Sequence, residues 1–77
     1  MAKADAATLR ELIEAAKRGA QAYAARHRDI VEDAGNEVAL RWQLRVSTGR
    51  IPSDPEAWAF SVGERYAREI LAKSAKK

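Results

Sequence analysis

The side chains that could do chemistry fall into two groups. Asp29, Glu32, Asp33 and Glu37 are bunched at the start of one segment, and Arg65, Arg68 and Lys76 recur along another. Carboxylates perform acid–base catalysis only when a concave site shifts their pKa values, and on helical faces they are solvated charge or ion-pair partners. No glycine-rich phosphate loop, no nucleophile beside a base and no set of metal-spaced ligands accompanies them. Cysteine is absent and His27 is the single histidine, which removes thiolate chemistry and sulfur-bound zinc. No enzyme, cofactor or metal site is expected. The chemistry left is recognition by charge: an acidic patch, and a basic face formed by Ser61, Arg65, Arg68, Ala72 and Lys76 and diluted by Glu64 and Glu69.

These groups must be held by helices. Leu9, Leu12, Ile13, Ala16, Ala20, Tyr23 and Ala24 recur at three and four residues, which predicts a helix from Thr8 to about His27 with Asp5 or Thr8 as its cap. Gly19 inside it implies close approach of a neighbour rather than a break. His27 suits that helix's last turn. A second helix is expected from Ile30 or Val31 to Val46, with Val31, Ala34, Val38, Trp42 and Val46 on one stripe and Leu40 and Leu44 beside it. Its four acids lie at its N-terminal end, where the macrodipole favours negative charge by roughly 0.3 to 1 kcal/mol each; that accounts for one or two of them.

Ser47, Thr48 and Gly49 stop the second helix, and Pro52 and Pro55 hold the following residues extended. Asp54 as cap with Pro55 at the first helical position starts a third helix, with Ser53 and Glu56 as an alternative capping box. Trp58, Val62, Tyr66 and Ile70 then repeat every four residues to about Ala75. The expected core is Leu12, Ile13, Tyr23, Val38, Trp42, Trp58, Val62, Tyr66 and Ile70. Glu37 with Arg41, and Glu64 with Arg68, have helix-pair spacing.

Seventy-seven residues bound the chain to a single domain, 1–77, with flexible ends at 1–7 and 74–77. Alanine-rich composition makes it all-α, a small three- to four-helix bundle. The net charge of +3 permits nucleic-acid contact without requiring it. No apolar run approaches the roughly 20 residues of a membrane span, and no secretion signal is present, so a cytoplasmic protein without membrane partners is expected.

Two stretches resemble a known family. E-D-A-G-N-E-V-A-L-R-W from Glu32, followed after a loop by D-P-E-A-W-A-F-S-V-G-E-R-Y-A-R-E-I-L-A-K from Asp54, resembles domain two of the extracytoplasmic-function sigma factors. That family shows an E-D-A-x-Q-E-x-F-x-R helix, a loop, then a P-x-A-W-L-x-x-I-A-R-N-x-x-x-D-x-L-R helix. The resemblance implies a sigma domain-2-like bundle. It further implies that Asp33, Asn36, Glu37 and Arg41 dock on the clamp helices of the largest subunit of core RNA polymerase. The loop residues Thr48, Gly49, Arg50 and Ser53 would meet an unpaired promoter base, and Arg65 and Arg68 would hold the minus-ten element.

Several positions depart from the pattern. Asn36 stands for glutamine, Ala39 for the large residue, and Glu64 and Arg65 for arginine and asparagine. A complete family member continues into a second DNA-binding domain. The expectation is therefore a stand-alone sigma-like transcription factor, with upstream recognition supplied by a separate DNA-binding activator protein, as in the two-part activators associated with prophages and gene transfer agents. The alternative is a phage-type protein that binds polymerase or another complex and inhibits it without reading DNA. A helix-turn-helix reader of duplex DNA is disfavoured by the long, proline-bound connection.

Overall fold

Thr8 is the point at which the chain turns helical. Its backbone is extended, its hydroxyl accepts from the Glu11 amide at 3.2 Å, and the Glu11 carboxylate accepts from the Thr8 amide at 3.0 Å. This reciprocal box satisfies two amides that the first turn leaves without intrahelical partners. A computed structural model describes residues 8–75, and these form three helices: α1 (Leu9–Ala24), α2 (Arg28–Thr48) and α3 (Pro55–Ala75). The other proposed cap, Asp5, lies outside the described residues. So do the expected loose ends, apart from Ser74 and Ala75, which close α3.

The first turn between helices comes earlier than the apolar spacing predicts. α1 stops at Ala24, and His27 belongs to the start of α2 rather than to the last turn of α1. The His27 carbonyl accepts from the Ile30 and Val31 amides at 3.0 and 3.1 Å, and its side chain makes no cap bond. Because the backbone alone starts α2 here, no capping residue in the sequence marks Arg28 as its first position.

α1 packs most extensively on α3, and the residues between them are small. Ala15, Ala16, Ala20 and Ala24 of α1 and Ala59 and Ala67 of α3 are buried. α1 runs unbroken through Gly19, where an added Cβ would collide with the Phe60 carbonyl oxygen and stand 3.1 Å from the Glu64 nitrogen. Gly63 answers from α3: a Cβ there would lie 2.6 Å from the Ala16 carbonyl carbon. The two glycines let the backbones approach where any side chain would separate them. Larger groups fill the ends of the interior. Leu12 and Val38 are fully buried near Trp42 and Trp58, while Ile30 and Val31 sit near Tyr66, Ile70 and Leu71.

Two expectations about the core are corrected. Tyr23 is 46% exposed, and Leu40 and Leu44 are each 65% exposed, with Val46 also outside the interior. α2 is five residues longer than the 16-residue α1, and among the described residues its C-terminal turns meet α3, where Arg45 lies over Trp58. Apolar spacing along α2 continues where the packing partner does not. The molecule is accordingly elongated, 47 × 21 × 16 Å. Among the described residues, no helix is long and apolar enough to cross a membrane and no cluster of His, Asp and Glu could hold a metal ion.

Candidate partner and nucleic-acid interface

α2 separates its four acids by what surrounds them. Glu32 pairs with Lys17 at 3.3 Å, fastening α1 to α2. Glu37 accepts from Arg41 Nε at 2.8 Å, one helical turn on. Asp33 and Asp29 are exposed and make no ion pair with the described residues. The charges of Asp33 and Glu37 also reach Tyr66 of α3. Burial, followed by the charges of Asp33 and then Glu37, pushes the Tyr66 phenol above its ordinary value. Asp33, Asn36, Glu37, Leu40, Arg41 and Leu44 follow three- and four-residue steps and so share one side of the helix. The four residues assigned to partner docking are thus gathered on one face, and the face continues into two exposed leucines.

The loop residues are gathered as well. Gly49 adopts a left-handed φ of 74° and donates to the Val46 carbonyl at 3.2 Å, while the Arg50 amide donates to the Arg45 carbonyl at 3.0 Å. This is the Schellman closure, which caps the last carbonyls and reverses the chain. The Thr48 hydroxyl turns back to donate to the Leu44 and Arg45 carbonyls at 3.0 and 3.2 Å. Ser53 is exposed, and Asp54 rather than Ser53 caps α3, accepting from the Ala57 amide at 3.2 Å.

The α3 arginines stand apart from that loop. Helical rise puts Arg65 about 15 Å along α3 from Pro55. Arg65 and Arg68 are both exposed, but Arg68 lies over the Tyr23 ring, 5.6 Å from its centroid. Tyr23 in turn donates to Glu64 at 3.4 Å. The expected pairing of Glu64 with Arg68 is replaced by this bridge, in which both bind one tyrosine of α1.

The structure also brings Arg45 and Leu44, which the sequence reading did not count as site residues, together with Arg41, Thr48 and Arg50, which it did. Arg41, Leu44, Arg45, Thr48 and Arg50 line a groove of about 450 Å³ at the end of α2. Arg45 is fixed twice: its guanidinium lies 5.5 Å from the Trp58 ring centroid and donates to the Arg50 carbonyl at 3.2 Å. Trp58 is itself tilted against Trp42, centroids 5.8 Å apart. No protein-family model, curated protein or solved structure matches this chain. The functional reading therefore rests on the residues and their placement. The signal that could have revealed the groove is the four-residue step from Arg41 to Arg45, followed by an arginine just past a helix-stopping glycine.

Proposed function

We propose that this chain is a sigma domain-2-like module. It docks on core RNA polymerase through Asp33, Asn36, Glu37 and Arg41 of α2 and touches the promoter minus-ten region through Thr48, Gly49, Arg50 and Ser53, then Arg65 and Arg68. Upstream recognition is supplied by a DNA-binding module outside these 77 residues. The observation that carries this reading is that Asp33, Asn36 and Glu37 occupy one side of α2 while its opposite side holds Val31, Ala34 and Val38 in the core. Asp33 and Asn36 are exposed, half-buried Glu37 lies at the edge of the face, and the loop follows at the end of the same helix.

Co-purification with core polymerase and formation of a ternary complex on a bubble promoter test the proposal. Wild-type protein forms both, and Asp33→Arg loses both while keeping its helical spectrum. Failure of the wild-type protein to associate with polymerase sinks the reading.

One observation favours the second reading, an inhibitor that binds polymerase without reading DNA. Arg68 is engaged by Tyr23 rather than extended freely from α3, and Glu64 precedes Arg65. Reversing Arg65 and Arg68 to glutamate abolishes a sigma-like activity but leaves polymerase-binding inhibition intact.

A further inference from the structure

We infer that the outward stripe of α2 is a self-association surface, on which a second copy of this chain packs antiparallel to form a weak two-fold dimer. The inference goes beyond polymerase docking and does not rest on it. Asp29, Asp33, Asn36, Leu40, Leu44 and Ser47 are all exposed. Steps of three and four residues bring them onto one side of α2, turned away from the buried Ala34 and Val38. A single exposed leucine is ordinary on a protein surface. Two on successive turns, each 65% exposed, make a continuous apolar strip that leaves water only against a partner.

The same stripe changes sign along its length. Its N-terminal end carries Asp29 and Asp33, neither of which forms an ion pair with the described residues. Past its C-terminal end stands Arg50, exposed and beside Leu44 on the wall of one groove. The bonds between Arg50 and Arg45 use only the Arg50 backbone, which leaves its guanidinium without an acceptor among the described residues. Arg41 and Arg45 are occupied, the first by Glu37 and the second by Trp58. At this end Arg50 is therefore the cation left for a partner.

These groups are disposed about a midpoint at the level of Trp42, whose own side chain packs inward against Trp58. Leu40 and Leu44 lie two residues before and after it, Asn36 and Ser47 six before and five after, and Asp33 and Arg50 nine before and eight after. An antiparallel second copy centred at the same level sets Leu40 on Leu44, Asn36 beside Ser47 and Asp33 beside Arg50. Each contact occurs twice, as an isologous two-fold interface requires. Positions 33, 40 and 47 are also spaced by seven, the repeat that holds a seam between two paired helices. A parallel copy instead opposes Asp33 to Asp33 and Arg50 to Arg50, with the two helix dipoles aligned. The order of charges thus selects a second copy, and its direction. One face of one helix makes a small interface, so the dimer is transient. It covers Asp33 and Asn36, and a chain paired this way cannot offer that face to another protein.

Sedimentation equilibrium of the purified full chain, over a series from about 10 μM to about 1 mM, tests the proposal. Wild-type protein shifts from monomer to dimer across the series. Leu40→Asp with Leu44→Asp leaves a monomer throughout. Asp33→Arg and Arg50→Asp each weaken association on the order of 10-fold, because each opposes like charges at both ends of the interface. Combined in one chain, the two substitutions exchange the charges end for end and return the dimer to within about 3-fold of wild type. A merely structural defect of either substitution would persist in the double variant. All the substituted side chains are exposed, and the variants keep the wild-type helical spectrum.

A monomer at every concentration overturns the proposal, as does association that survives the two leucine substitutions. A double variant no stronger than its parents overturns the antiparallel pairing, and assembly beyond a dimer overturns the two-fold contact, which closes at two copies. Polymerase plays no part in the readout, so failure of either reading leaves the other standing.

Discussion

The α1–α3 seam and the distal half of α2 obey opposite rules. At the middle of the seam the buried contact residues are mostly alanine and glycine, with Leu12 and Val62 among them. From Leu40 to Thr48 no residue is buried, although the stretch holds Leu40, Trp42, Leu44 and Val46. The seam is therefore stabilised by close backbone approach with small side chains, and distal α2 exposes large apolar and basic ones. The difference teaches that size and hydrophobicity of a side chain do not by themselves mark the interior of this bundle. Continuity of a partner helix does.

Stability should divide the same way. Leu12→Ala, which empties the largest fully buried side-chain site beside Val38, should cost about 3 kcal/mol in urea unfolding, by lost burial and residual cavity. Against a total of about 5 to 10 kcal/mol for a small domain, that is a severe loss. A cost below about 1 kcal/mol would mean that the cluster joining Leu12 and Val38 to the seam alanines does not carry the fold.

Gly63→Ala sharpens the comparison from the other side. Helix propensity favours alanine by about 1 kcal/mol, yet the new Cβ meets Ala16 backbone, which cannot rotate away. The expected net is destabilisation of about 2 kcal/mol, from a seam forced apart. Thermal unfolding that rises instead would show that α1 and α3 stand further apart than the glycine contacts require.

Leu40→Ala and Leu44→Ala probe the exposed region. Each should change stability by no more than about 0.5 kcal/mol, since the side chains lose little burial. If the acidic face docks a partner, both should still weaken co-purification with polymerase. A large stability loss would place these leucines inside the bundle and end the contrast.

Much of the fold is legible in the sequence where local chemistry decides the outcome. Thr8, one of the two caps offered for the first helix, Asp54 with Pro55, and Gly19 within an apolar stripe each carry their own physical reason, and each is found where that reason puts it. The start of α2 is not legible, because His27 contributes only its carbonyl. Tyr23 and Leu44 mislead because helical spacing cannot report where a neighbouring helix ends or which tyrosine bridges rather than buries. The proposed recognition residues divide similarly. Asp33, Asn36 and Glu37 are placed together by helical geometry alone, whereas Arg45 joins Arg50 only through the reversal at Gly49, a tertiary event that residue spacing records weakly.

The smallest expected effect tests how the acidic face meets α3. Tyr66 has a phenol raised above its ordinary 10.0 by burial first, then by Asp33 and Glu37. A raised folded value means that the unfolded chain releases its proton at lower pH. The contribution of Tyr66 is fully present below pH 10 and is lost as pH rises through the folded value. In a Tyr23→Phe background, alkaline titration of tyrosinate absorbance reports Tyr66 alone. Asp33→Asn should lower its midpoint slightly and Glu37→Gln by less, following the order of their charges, while burial keeps the midpoint above that of free tyrosine. An unchanged midpoint in both variants would mean that Asp33 and Glu37 turn away from α3. The acidic face would then be insulated from the core beneath it, and the two regions would differ in electrostatics as fully as they do in packing.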